Sequence, residues 1–158
     1  MKKWYELVLM TIFLISCASN DAVFVSKKLN VSLGKYKRAF IDVQNVEYNN
    51  VEDRRSGLGT AAVDLDISTI LRGLEIDPRG DEKRSGLKIE CYFKYGWGMP
   101  RIGRHFSIKS KYITNVIIKL FDIDSKQLIG EVQYKRPWFE NQQKDLIKLM
   151  FEKLTSTN

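Results

Sequence analysis

The chain offers few side chains for catalysis, and their spacing decides against most of them. A hydrolase needs a nucleophile beside a base, or a metal-bound water. The one histidine, His105, stands between Arg104 and Phe106 in a basic stretch. Zinc sites draw on several His or Cys ligands, and His105 with a single spare cysteine, Cys91, is too few. Asp64 with Asp66 and Asp122 with Asp124 are close acidic pairs. Two residues apart on a helix places side chains on different faces, so Asp64 and Asp66 form no dyad. Asp122 and Asp124 resemble the start of a calcium loop, but the glycine and distal glutamate it requires are absent, and a hairpin turn explains them better. Gly57-Leu58-Gly59 precedes a helix without the third glycine or the Lys-Ser/Thr of a phosphate loop, and reads as a turn. Glu90, Glu131 and Glu140 are available carboxylates, but no spacing brings two together. The expectation is a protein that is not an enzyme, with no metal and no cofactor.

One segment exceeds this background: Tyr95-Gly96-Trp97-Gly98-Met99-Pro100-Arg101-Ile102-Gly103-Arg104-His105-Phe106. It joins aromatic rings, backbone freedom and two arginines in what reads as a loop between strands. Binding residues collect on loops held by a rigid scaffold, and Trp with Arg is the usual composition of interaction hot spots. At a membrane surface, Tyr95 and Trp97 would suit the headgroup level and Arg101 and Arg104 the phosphates. The competing reading is a long hairpin loop whose Trp97 and Ile102 fold back over an open sheet end. A second aromatic stretch, Lys135-Arg136-Pro137-Trp138-Phe139, is read as stapling the final helix to the sheet.

The N-terminus carries a different chemistry. Met1-Lys2-Lys3 is basic, and residues 7–15 are apolar apart from Thr11. Small residues follow, which completes the three-part pattern of a secretory signal. A membrane-spanning helix needs about 20 apolar residues, and this run is too short. Leu14-Ile15-Ser16-Cys17 resembles a bacterial lipobox, which implies that Cys17 becomes the first residue of the mature chain and carries the lipid. Several acyl chains, palmitate among them, would meet the requirement of more than one chain for stable anchoring. An ordinary signal peptide cut near Ser16 or Ala18 is the competing reading, and it leaves Cys17 incidental.

Removal of residues 1–16 leaves 142 residues, which suits one domain. The removed segment holds Lys2, Lys3 and Glu6, so the whole-chain net charge of +7 becomes +6. A basic balance outside the cytoplasm points to anionic neighbours such as lipid headgroups, lipopolysaccharide phosphates or acidic glycans rather than nucleic acid. With Cys17 acylated, Cys91 stands alone and no internal disulfide is available. Leu87, Ile89, Cys91 and Phe93 alternate along one strand face, so Cys91 is expected in the core as a small hydrophobe.

The elements follow from hydrophobic period. Residues 17–33 read as a tether, with 23–25 or 29–33 adding a short edge strand. Residues 36–46 alternate as a strand, and 49–59 are a polar loop. A helix over about 60–74 is expected to bury Val63, Ile67, Ile70, Leu71 and Leu74, and Asp77-Pro78-Arg79-Gly80 stops it. Residues 87–94 form the next strand, and 95–107 a loop. Residues 112–121 are the clearest strand, with Tyr112, Thr114, Val116, Ile118 and Leu120 on one face. A turn over 122–126 returns the chain through 127–135, where Leu128, Val132 and Tyr134 share a face. A last helix over about 141–154 has Leu146, Leu149, Met150 and Leu154 as its stripe, widened by Ile147 and Phe151. The order β-α-β-β-β-α suits an α+β domain spanning 34–158: an antiparallel sheet of about four strands with both helices on one face.

This layout is similar to that of small uncharacterised bacterial outer-membrane lipoproteins. The likeness rests on the lipobox, the short tether, Tyr36-Lys37-Arg38-Ala39-Phe40 and the late hairpin from Ile117-Ile118-Lys119-Leu120-Phe121-Asp122 through Leu128-Ile129-Gly130-Glu131-Val132. It implies a periplasmic α/β domain hung from the outer membrane, with no assigned activity. Ala18 rather than Asp after the lipidated Cys implies outer-membrane delivery. The function expected is that of a lipid-anchored, non-enzymatic envelope protein whose Tyr95, Trp97, Arg101 and Arg104 bind a protein, an anionic lipid or a glycan. The alternatives are an accessory subunit of a larger membrane complex, of the pilotin or lipopolysaccharide-assembly kind, and, further off, an enzyme acting on glycans or lipids.

Overall fold

The computed structural model describes residues 23–47, 55, 59–98, 101–102, 106–107, 110–135 and 145–156. The strands are β1 (Val23–Lys27), β2 (Ala39–Asn45), β3 (Leu87–Gly98), β4 (Arg101–Ile102), β5 (Phe106–Ser107), β6 (Ser110–Asp122) and β7 (Gln127–Lys135). The helices are α1 (Thr60–Gly73) and α2 (Leu146–Thr155). The fold is α+β with a five-stranded sheet in the order β1-β7-β6-β3-β2.

The sheet is mixed, where an antiparallel sheet of about four strands was expected. β2 and β3 run parallel, from Ala39 opposite Leu87 to Asn45 opposite Phe93. Parallel neighbours need a long crossover, and the chain between Asn45 and Leu87 supplies one that contains α1. Alternation along a strand carries no sign of its direction, so period alone could not separate the two arrangements. The fifth strand is β1, which pairs antiparallel with β7 from Val23 opposite Tyr134. Val23 is buried, and β1 is the short edge strand expected at 23–25. Lys27 and a bulge after Val25 mark this edge, both of which discourage further strand addition.

Both helices cover one face. Beneath them lie Ala39, Val43, Leu87, Ile89, Cys91, Phe93, Val116, Ile118, Leu120 and Val132, all buried. α1 contributes Val63, Ile67 and Leu71, and α2 contributes Leu146, Ile147, Met150, Phe151 and Leu154. α2 crosses β7 at Gly130, where a Cβ would stand 3.2 Å from Leu154 Cδ1 and 3.0 Å from Leu29 Cδ2. Leu74 and Leu149, expected in the stripes, are 40% and 43% exposed. Leu74 lies past the last helical residue, and Leu149 sits on the flank away from the sheet.

Two bulges change the expected faces. Lys94 pairs with Asn115 but Tyr95 with Ile113, leaving Thr114 as the extra residue. Its Oγ1 donates to the Lys94 carbonyl at 3.2 Å. Ile113 therefore joins Tyr95 against the core in place of Thr114. On β7, Leu120 pairs with Gly130 and Phe121 with Leu128, so Ile129 is the extra residue and is buried instead of Leu128.

The stretch read as a loop over 95–107 is largely strand. β3 continues to Gly98, paired with β6 through Trp97 opposite Lys111 and Gly98 opposite Ser110, and β4 pairs with β5 beyond them. Glycine weakens the strand signal at Gly96 and Gly98, but pairing with β6 holds both in the ladder.

Candidate binding arm

The registers define two ends of the sheet. Val23, Tyr134, Val116, Phe93 and Asn45 form one cross-strand row. At this end β2 stops opposite Phe93 and β7 stops opposite Asn115, while β3 and β6 continue past both. Among the described residues, Gly96, Trp97 and Gly98 and their partners Tyr112, Lys111 and Ser110 have only each other as strand neighbours. Together with the β4–β5 ladder they form a two-stranded arm. Such a ribbon is marginal alone in water.

The sequence of the arm is one-sided in charge. From Lys94 at its root to Tyr112 there is no acidic residue, while Lys94, Arg101, Arg104, Lys109 and Lys111 carry positive charge. Tyr95, Trp97, Phe106 and Tyr112 supply aromatic rings in the same stretch. The contribution of the β6 side, Lys111 and Tyr112, was missed in reading the sequence; the long gap between acidic residues was the signal that could have found it.

Of the expected binding residues, Tyr95 lies at the root of the arm. Its ring meets Phe93 edge-on at a centroid distance of 5.4 Å and packs against the core. Burial raises its phenol pKa, with Glu47 adding to the effect. Trp97 stands opposite Lys111 in the β3–β6 ladder and Arg101 opposite Ser107 in β4–β5. Tyr95 and Trp97 thus share the β3–β6 ladder, and Arg101 lies in the separate β4–β5 ladder that follows β3 in the chain. Arg104, His105 and the lipidation candidate Cys17 lie outside the described residues, as do Glu140, Trp138 and Phe139.

The root is fastened to α1. Gly59, at the helix N-cap, has φ 90°, and a Cβ there would lie 1.8 Å from the Tyr95 Oη. Glycine is the residue that tolerates both the left-handed backbone and the close ring.

Elsewhere the carboxylates are engaged. Asp42 and Glu90 are register partners on β2 and β3, a pairing that sequence spacing did not reveal. Arg55 contacts both Asp42 oxygens, Nε and Nη2 each at 3.2 Å. Glu90 accepts from Lys88 Nζ at 3.2 Å and from Tyr92 Oη at 3.0 Å. Burial, with Glu90 beside it, pushes the Tyr92 phenol up to about 12. Each carboxylate in the pair is thus held by a cation or a donor. Asp122 accepts from Lys35 Nζ and Tyr36 Oη, both at 2.8 Å, and from Ser125 N at 3.0 Å. Lys35 above all holds its pKa well below the usual carboxylate range. This is turn architecture at the end of the sheet opposite the arm. Among the described residues, no three His, Cys, Asp or Glu side chains group as metal ligands. No described helix is long and apolar enough to cross a membrane.

The described residues form an α+β domain with a mixed five-stranded sheet and two helices, and solved structures share that fold. A DUF4136 family protein from Bacteroides thetaiotaomicron superposes with TM-score 0.55 at 10% identity, covering 84% of this chain and 96% of its own. PelC from Paraburkholderia phytofirmans, solved as a dodecamer, superposes with TM-score 0.53 at 12% identity, covering 86% of this chain and 98% of its own. No family model matches the chain, and no curated relative does. At these identities the likeness is one of fold.

Proposed function

We propose that this protein is a lipid-anchored, non-enzymatic component of the cell envelope that holds another envelope component with the β3–β6 arm. The observation that carries the reading is the arm itself: a ribbon running past both flanking strands, rich in aromatic residues and cations and free of acids. A ribbon of this kind is stabilised by what it touches, and Trp and Arg are the side chains that concentrate binding energy. The anchor rests on the lipobox at Cys17, delivery to the outer membrane on Ala18 at the next position, and a periplasmic domain on the likeness to small outer-membrane lipoproteins. The non-enzymatic reading is supported by the absence of a nucleophile–base pair in the sequence and by the engagement of Asp42 and Glu90 with Arg55 and Lys88.

Membrane fractionation and intact mass of the natural protein beside a Cys17→Ser variant test the anchor. The expected result is an acylated, membrane-bound natural chain and a variant that has lost both properties. Pull-down with Trp97→Ala/Arg101→Ala tests the arm, and an unchanged set of partners would remove its assignment.

A second reading, an accessory subunit of a larger membrane assembly, is favoured by one observation: PelC, of like fold, was solved as a dodecamer. It predicts a single dominant complex after mild detergent extraction, and a solitary monomer would count against it.

A further inference from the structure

The arm and the entry of the chain into the sheet share one end. β1 begins at Val23, in the row of Tyr134, Val116 and Phe93 from which the arm departs. Cys17 precedes Val23 by six residues, and an extended chain of that length reaches about 20 Å at most. From Phe93 to Gly98 the arm advances five residues, about 17 Å at the usual rise of a strand. Six residues are therefore enough chain for an acyl group on Cys17 to lie as far from the sheet as the end of the β3–β6 ladder.

We infer that the partner of the arm is the anionic phospholipid headgroup surface of the leaflet that holds Cys17. This inference rests on the proposed lipid anchor and adds the identity of the arm's target. Charge complementarity favours that target, because cations in a stretch of sequence that holds no acid are drawn to anionic headgroups within a Debye length. Trp97 and Tyr112 belong to the residue types that settle at the interface between water and hydrocarbon. At the opposite end of the sheet Lys35, Lys37, Arg38 and Arg84 gather as well, but beside Asp122 and Asp124, and Lys35 Nζ and Tyr36 Oη are both held by the Asp122 carboxylate.

Quenching of Trp97 fluorescence by brominated lipid tests this directly. The mature chain has two tryptophans, Trp97 and Trp138, so a Trp138→Phe background isolates the first. The protein is placed in vesicles of brominated phosphatidylcholine, alone or mixed with brominated phosphatidylglycerol. Quenching at least about two-fold stronger with phosphatidylglycerol is expected. It should fall to the phosphatidylcholine level in Arg101→Glu/Lys111→Glu and in the milder Arg101→Gln/Lys111→Gln, and be unchanged in Lys83→Glu at the other end. Equal or absent quenching in a protein whose mass includes acyl chains overturns the inference and leaves the anchor standing; the arm then meets a protein or a glycan. A mass without acyl chains overturns the anchor. That result overturns the inference as well, since no leaflet then holds Cys17; phosphatidylglycerol-dependent quenching of the unacylated chain would keep anionic headgroups as the arm's target without the anchor, and its absence would remove that target too.

Discussion

The hydroxyl of Tyr95 lies over the backbone of Gly59, so close that a single added carbon on the glycine would stand 1.8 Å from it. This contact joins the root of the arm to the first turn of α1, and α1 in turn buries Val63, Ile67 and Leu71 on the sheet. The direction in which the arm leaves the domain is thereby tied to the packed core.

Gly59→Ala is expected to destabilise the protein by about 1–3 kcal/mol, the usual strain of a non-glycine residue held in a sparsely populated backbone region. Displacement of the Tyr95 ring adds to that loss. Gly73→Ala is the matched control: nothing lies within 4 Å of the added carbon, and alanine in a helix gains about 0.5–1 kcal/mol over glycine. Denaturant midpoints for the two variants should move in opposite directions.

Glu75 occupies a position that glycine usually fills. Ile76 N bonds to Leu71 O at 2.9 Å and Glu75 N to Arg72 O at 3.0 Å, the two bonds of a Schellman motif closing α1. Glu75 has φ 62° there. Glu75→Gly is therefore expected to stabilise the fold by up to about 1 kcal/mol. A thermal melt with a raised midpoint would agree, and a lowered one would show that the Glu75 side chain contributes more than its backbone strain.

The sequence made some of this architecture legible and hid the rest for physical reasons. Helix α1 was readable because Val63, Ile67 and Leu71 repeat at helical spacing, and the burial of Cys91 because its neighbours alternate. The hairpin from β6 to β7 was readable because β-branched residues flank a short polar turn. The parallel pairing of β2 with β3 was not, since it depends on the path of the crossover through α1. The exchange of Thr114 for Ile113 and of Leu128 for Ile129 followed from bulges, which a two-residue period cannot anticipate. At the candidate site, the composition of the arm was visible in Trp97 and Arg101, whereas its strand geometry emerged only from the ladder with Lys111 and Ser110.

Asp122 should make stability depend on pH. Its folded-state pKa is lowered, first by Lys35 and then by Ser125 and Tyr36. A lowered carboxylate pKa contributes stability that is present above the unfolded value of about 4 and lost as pH falls below it. Asp122→Asn is expected to melt below the natural protein at pH 7, and the gap should shrink as pH is lowered through about 4 toward 2. A gap that is constant over that range would assign the loss to packing rather than to charge.

Cys91 is fully buried, and desolvation pushes its thiol pKa up. The thiolate is the reactive form, so a disulfide-exchange reagent should leave Cys91 unlabelled in the folded protein and label it after denaturation. Rapid labelling under native conditions would mean that β3 opens locally.

The binding role of the arm is the central claim, and site-specific photo-crosslinking in intact cells tests it most directly. A photoreactive residue is placed at position 97 in the arm or, as a control, at Leu65, an apolar side chain on α1 that is 60% exposed. The account predicts discrete adducts with lipid or with an envelope protein from position 97 and none from position 65. Adducts of the same kind from both positions, or none from position 97, would contradict it.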